Sequence, residues 1–306
     1  MDSLAHSVAS LKLVSTPVFY GKRAWPGGPS VRQNWLLPDN IIYYISKNPT
    51  SPKVYQKLVQ ICKFFFEKNP IIIIPYLYRW ENSTKWYISQ NGRNRLIEID
   101  LNTISTKIWI TQEILINKHI ENCIATIVQK NFRFEILHLR VFDNDIIFDD
   151  LKVLASSAKR VSLHRNSIKY KNGTTVMFDK ILELFPSNIK YFCFRFRNDV
   201  SMINASTMKN ILKLQNLENL KCFYLHDCPD TLSVEDLSAF IKKFGNAKVR
   251  LDFASNISEE YKEQLDSLID EIIESDVPNR VIKYDGQDED KLEIMDSRFV
   301  RIDVET

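Results

Sequence analysis

Glycine is scarce in this chain of 306 residues: there are seven, at positions 21, 27, 28, 92, 173, 245 and 286. An average protein carries roughly 7%. Loops that cradle phosphate on bare backbone have little to be built from, and neither GxxxxGK(S/T) nor GxGxxG occurs. GxSxG and HExxH are absent too, which removes the common acyl-transfer and zinc-protease signatures. The five cysteines (Cys62, Cys123, Cys193, Cys222, Cys228) are odd in number and never form a CxxC pair. That excludes a disulfide framework and a structural zinc site of the usual spacing, and points to a reducing compartment. The longest apolar run, Ile71 to Tyr78, is eight residues broken by Pro75, against about twenty for a membrane span. Met1 to His6 lack a basic stretch leading into an apolar one, so no secretory signal is expected. A cytoplasmic or nuclear protein without a membrane partner is the expectation.

What is present is the composition of a folded protein, 44% hydrophobic and 26% charged. The length suggests two domains, or one small module on a longer one. The net charge of +3 is unevenly placed. Residues 251–306 hold seventeen acids and six bases, a balance of −11, which leaves the first 250 residues at +14. Such halves can neutralise each other in the fold, and no nucleic-acid partner is expected. Arg195 and Arg197 flank Phe196 in the manner of a nucleic-acid reader, but strand alternation explains the same string. The acidic stretch Asp285 to Asp290 lacks the ligand spacing of a calcium loop.

Three regions follow from the patterning. Residues 1–35 mix polar residues with Pro17, Gly21, Pro26, Gly27, Gly28 and Pro29 and read as an irregular leader. Residues 36–80 begin with helical spacing. Apolar residues at 37, 41, 42 and 45 follow Pro38 and Asp39, where a short amphipathic helix would start. After Asn48 to Pro52, a second helix places Val54, Leu58, Val59, Cys62 and Phe65 on one face. Residues 81–306 then change period. Trp86 to Ile88, Leu96 to Leu101 and Lys107 to Ile110 alternate as strands, and Ile114 to Lys130 returns to helical spacing.

Beyond that, apolar-x-apolar signatures recur at Leu137-His138-Leu139, Val161-Ser162-Leu163, Phe192-Cys193-Phe194, Phe223-Tyr224-Leu225, Leu251-Asp252-Phe253 and Ile282-Lys283-Tyr284. Their steps are 24, 31, 31, 28 and 31 residues. Helices are expected in the gaps at Asp149 to Ala155, Thr175 to Phe185, Ser206 to Leu214, Ser233 to Phe244 and Ser258 to Ile273, with Ser206, Ser233 and Ser258 as caps. This is the period of a strand-helix solenoid, in which stacking buries faces that one repeat cannot bury alone. An irregular α/β sandwich is the alternative.

Two stretches resemble known families. Leu37 to Phe66, with its Leu37-Pro38 opening, Ile41, Ile42 and Ile45, and a second helix ending in an apolar-x-x-Cys-Lys-Phe-Phe run from Val59 to Phe65, resembles an F-box. Leu163-His164-Arg165-Asn166 and Leu225-His226-Asp227-Cys228 resemble the leucine-rich repeat, whose Asn or Cys satisfies turn backbone groups. The expected fold is therefore α/β, a short N-terminal helical F-box-like module followed by an irregular leucine-rich-repeat-like solenoid. The resemblance implies a non-catalytic substrate-recruiting subunit of a cullin ubiquitin ligase. It implies a Skp-type adaptor, and through it a cullin, as partners at Leu37, Pro38, Ile41, Ile42, Ile45, Val54, Leu58, Val59 and Cys62.

An unknown client protein would meet exposed strand residues, for which His164, Arg195, Arg197, Tyr224 and His226 are the choice. The alternative is a leucine-rich-repeat-like scaffold without a ubiquitin role, its hairpin a mere cap. Exposure of Ile41, Ile45 and Leu58 would separate the two. No cofactor is expected. Of the five histidines, His138, His164 and His226 each lie in or next to a strand signature, and with Cys228 could ligate a metal or carry protons. His138 is assigned the opposite strand parity to the other two, which weighs against that grouping.

Overall fold

Three short helices, α1 (Asp39–Lys47), α2 (Pro52–Ile61) and α3 (Phe64–Lys68), come first among the residues that the computed structural model describes. Those residues are 34–80, 83, 85–90, 94–117, 123–197 and 201–300. From Trp35 onward they belong to one compact unit. The leader expected at 1–35 lies almost wholly outside them. Pro38 supplies the carbonyl that receives the first amides of α1, and Ser51 caps α2 by accepting from the Val54 amide, with Pro52 at the first helical position. Both starts follow the sequence, whereas the expected second helix through Phe65 is broken: Cys62 is extended and Phe65 belongs to α3.

The stretch after them does not remain helical. Ile71–Arg79 is strand β1, so the end of the expected helical module belongs to the sheet. β-branched isoleucines at 71 to 74 favour a strand, and Pro75 is accommodated where the register with the next strand shifts, between Ile74 and Tyr76. β1 pairs antiparallel with β2 (Trp86–Ser89), which pairs with β3 (Ile97–Ile99). On its other side β1 pairs in parallel with β4 (Lys107–Asn117). Ile114 to Asn117 are thus strand rather than helix, and α4 (Cys123–Lys130) takes only the second half of the expected helix.

After β5 (Asn131–Phe134) a regular progression begins: β6 (His138–Phe142), β7 (Asp145–Ile147), α5 (Phe148–Leu154), β8 (Arg160–His164), β9 (Ser167–Lys169), α6 (Phe178–Glu183), β10 (Tyr191–Arg195), α7 (Thr207–Ile211), β11 (Cys222–Cys228), α8 (Val234–Lys243), β12 (Lys248–Phe253), α9 (Glu259–Glu274), β13 (Arg280–Lys283) and α10 (Glu289–Ser297). Each expected strand and helix has its counterpart. Of the three expected caps, Ser233 and Ser258 accept from amides of their first turns, whereas Ser206 does not. The Ser206 hydroxyl turns instead to the Asn204 side chain.

Among the described residues the fold is α/β, with ten helices and an eleven-strand, mostly parallel sheet that closes into no barrel. From β4 the strands lie side by side in chain order, β4-β6-β8-β10-β11-β12-β13, while β5 also pairs with β4 and β7 and β9 form a two-strand strip. Leu139, Val161, Leu163, Phe192, Phe194, Phe223, Leu225 and Leu251 project from one face and are fully buried. Aromatic contacts tie that face to the helices: Phe178 of α6 meets Phe192 and Phe194, and Phe240 of α8 meets Phe223.

The strand ends turn on side chains in place of glycine. Asp143, Arg165 and Asp227, each just past the buried part of a strand, adopt φ near +50°. Asp143 and Arg165 also donate their amides to the next strand, to His164 and Arg195 carbonyls. One residue further on, Asn166 donates to the Val141 carbonyl and accepts from the Asn144 amide, inside the fold. Asn144 stands in the same position of the preceding strand. It escapes the sequence pattern because the buried residue three positions before it is Val141, the register partner of Leu163, and not Leu139 of the signature.

Candidate functional site: the open face of the parallel strands

The residues alternating with the buried ones form three rows across the opposite face. The register aligns Glu113, His138, Arg160, Tyr191, Cys222 and Lys248 in the first row and Leu115, Arg140, Ser162, Cys193, Tyr224 and Arg250 in the second. Asn117, Phe142, His164, Arg195 and His226 make the third. Ser162 and Cys193 are small and adjacent in the middle row, and larger side chains surround them. The result is a recess of about 350 Å³ lined by residues of β6, β8, β10 and β11. Its size falls within the range of small-ligand sites.

Paired polar side chains frame it. On one side Arg140 Nε lies 3.0 Å from Glu113, which also accepts from the Tyr78 hydroxyl. On the other, His226 Nδ1 is 2.8 Å from Asp252, and Arg250 bridges Asp252 (3.0 Å) to Asp296 of α10 (3.4 Å). Burial opposes ionisation of Asp252, but the bond to His226 and the charge of Arg250 outweigh it and hold the carboxyl below its usual range. Arg160 lies over the Tyr191 ring, 5.5 Å from its centroid.

Burial, with Arg160 and Arg140 beside it, pushes His138 down to about 4. Burial also pushes His164 down to about 4, aided by His226, Arg195 and Arg165 against the opposing Asp143. Cys193 Sγ lies 3.4 Å from His164 Nε2, and burial pushes this thiol up to about 12. The pair is therefore neutral near pH 7, the opposite of an activated thiolate beside an imidazolium.

All three strand histidines line this one recess. The opposite parity assigned to His138 is corrected by the register: it sits at the middle of its signature and the other two sit two positions on, so all share a face. Cys228 does not join them, because its side chain is fully buried after a shift in register beyond Leu225. Among the described residues no group of three or more His, Cys, Asp or Glu side chains is placed to hold a metal ion.

Of the chosen client residues, His164, Tyr224 and His226 line the recess. Arg195 stands beside them in the third row, 3.7 Å from Asp227. Arg197 is apart, 3.5 Å from Asp145, on a smaller recess of about 180 Å³ with Asn166, Lys169 and Thr175. Sequence reasoning weighed His138 only for metal or proton chemistry and missed Arg140, Arg160, Ser162, Tyr191 and Cys193. The signal was available, since every one has the parity opposite to a buried neighbour.

The helical end is a second surface. Tyr55 and Val59 of α2 pack with Ile71, Ile73, Trp109 and Phe132. The Tyr55 hydroxyl donates to the Asn69 carbonyl (2.6 Å) and accepts from the Ile71 amide (3.1 Å), and Arg133 donates to the Pro49 carbonyl. Ile42 is buried as well. Turned outward are Leu37 (50% exposed), Pro38, Ile41 (42%) and Val54 (40%), with Ile45, Leu58 and Cys62 half-buried. Ile61, 76% exposed, extends this row and was not singled out from the sequence, although it follows Val54 by seven residues.

No protein-family model and no curated protein matches the chain. No helix among the described residues is long and apolar enough to cross a membrane.

Proposed function

We propose that the protein is a non-catalytic recognition subunit in which α1 and α2 dock on a Skp-type adaptor of a cullin ubiquitin ligase and the open strand face receives a client. The row of exposed apolar side chains on α1 and α2 carries the reading. Leu37, Ile41, Val54 and Ile61 face water, and a group of large apolar side chains left exposed in this way marks an interaction site. Ile42 and Val59, matched to the same family pattern, serve as core in this reading. A leucine-rich-repeat-like solenoid accords with parallel neighbours in chain order and with the stacked Asn144 and Asn166.

A second reading has its own observation. Tyr55 and Val59 seal the end of the sheet at Ile71, Ile73 and Trp109, as a cap on a scaffold without a ubiquitin role would. Co-purification of the full chain with a Skp-type adaptor separates the two. Stoichiometric capture by wild type, lost in folded Ile41→Asp and Ile61→Asp, is the expected result. Failure of the folded wild type to capture the adaptor leaves the scaffold.

A further inference from the structure

We propose that the recess between β6, β8, β10 and β11 binds a single phosphoryl group, with Arg160 as its principal cation. The proposal deepens the client-face reading above and is independent of adaptor docking.

The first observation is charge. The recess is lined by two arginines, three histidines, two tyrosines, a serine, a cysteine, Leu139 and Phe142, and by no acid, so its fixed positive charge comes from the arginines. The nearest carboxylates are already engaged, Glu113 by Arg140 and Tyr78, and Asp252 by His226 and Arg250. Arg160 differs from the other arginines of this face, Arg140, Arg195 and Arg250, each of which meets a carboxylate. Its guanidinium has no acidic partner among the described residues, and its contact is the Tyr191 ring. Arg160 is half-buried, and holding a guanidinium partly out of water without a counter-ion costs free energy that an incoming anion would offset.

Shape is the second observation. Ser162 and Cys193 leave a floor with no bulk, and donors stand around it: Arg160 and Ser162 from β8, Arg140 and His138 from β6, Tyr191 and Tyr224 from β10 and β11. Burial raises the pKa of both tyrosines, so their hydroxyls remain protonated donors. A planar guanidinium matches phosphoryl oxygens two at a time. Three acceptor oxygens and a charge near −2 use this ring of donors more fully than the two oxygens of a carboxylate. Burial depresses His138 most, and the part that Arg160 and Arg140 add belongs to the same positive field.

The source can be a phosphorylated side chain of a client or a free phosphate ion, and the test distinguishes them. The full chain is titrated calorimetrically at low salt with inorganic phosphate, with blocked phosphotyrosine (N-acetyl, C-amide) and with blocked tyrosine. Binding of phosphate or blocked phosphotyrosine without binding of blocked tyrosine supports the site. Tighter binding of blocked phosphotyrosine assigns the group to a client side chain, and equal binding assigns it to free phosphate.

Arg160→Gln should weaken binding by about tenfold and Arg160→Lys by less, because charge remains but the fork is lost. Lys209→Gln, on the exposed side of α7, should change nothing. The proposal is overturned if the folded wild type binds neither phosphate, or if Arg160→Gln and Arg160→Lys bind as wild type does. Should Arg160→Gln fail to fold, Arg160→Lys decides alone. Adaptor capture measured on the same variants should be unchanged, so failure of this site and failure of adaptor docking are read separately.

Discussion

The outer surface of α1 and α2 and the open face of β6, β8, β10, β11 and β12 are both turned to solvent, but they are made of opposite materials. The helices show water Leu37, Ile41, Val54 and Ile61, while the strands show it arginines, histidines and tyrosines bound into pairs. The strand face satisfies most of its own charge and leaves one guanidinium over. The helical surface satisfies nothing, because an exposed isoleucine has no local partner to find. Folding explains the first arrangement almost completely and the second hardly at all, which is why the helices are read as an interface and the strands as a binding face with one vacancy in its charge pairing at Arg160.

The core beneath the strands gives the comparison its scale. Phe192 is fully buried and its ring meets those of Phe178, Phe185 and Phe223. Phe192→Ala should cost about 3–5 kcal/mol in urea unfolding. Exposed Ile61→Asp should stay within about 0.5 kcal/mol. If Ile61→Asp proves as costly as Phe192→Ala, the helical surface is core that something in the chain covers, and the contrast fails.

Much of this architecture was legible because it depends on local chemistry. The strand signatures and the caps at Ser233 and Ser258 each sit within a few residues of their cause. What escaped depends on partners far along the chain. Ile71 to Arg79 and Ile114 to Asn117 read as the ends of helical regions, and only their pairing with each other, Leu77 beside Ile114 and Arg79 beside Ile116, makes them central strands. The recess escaped for the same reason. Ser162 and Cys193 are unremarkable in sequence, and their being side by side is a fact of register between β8 and β10. Tyr55, matched to no motif, proved to be the bolt between helices and sheet.

That bolt supplies the next prediction. Tyr55→Phe keeps the ring against Ile71 and Trp109 but leaves the Asn69 carbonyl and Ile71 amide without the hydroxyl that joins them. The expected cost is about 1–3 kcal/mol by thermal or urea unfolding. Protection of α1 and α2 amides from hydrogen exchange should fall more than protection of β10 and β11. Uniform loss across both regions would mean that the helices and the sheet open as one cooperative unit rather than two.

The smallest expected effect separates the regions by pH. The histidines of the strand face are His138 and His164, each pushed down to about 4, and His226, whereas α1, α2 and α3 contain none. In the unfolded chain a histidine titrates near 6.5, so between about 6.5 and 4 the unfolded state binds more protons than the folded one. Stability should therefore be full above pH 6.5 and decline as the pH falls toward 4. Each group is partly open to solvent, and screening reduces its share to about 1 kcal/mol. His138 is faced by Arg140 and Arg160, and His164 by His226, Arg195, Arg165, Asp143 and Cys193. His138→Gln should flatten part of the decline measured by urea midpoints at pH 7.5 and 5.0, whereas Tyr55→Phe should lower both midpoints without changing the slope. An unchanged slope in His138→Gln would show that burial and the charges of Arg160 and Arg140 together do not hold this histidine below its ordinary value, which would break the pH contrast between the two regions.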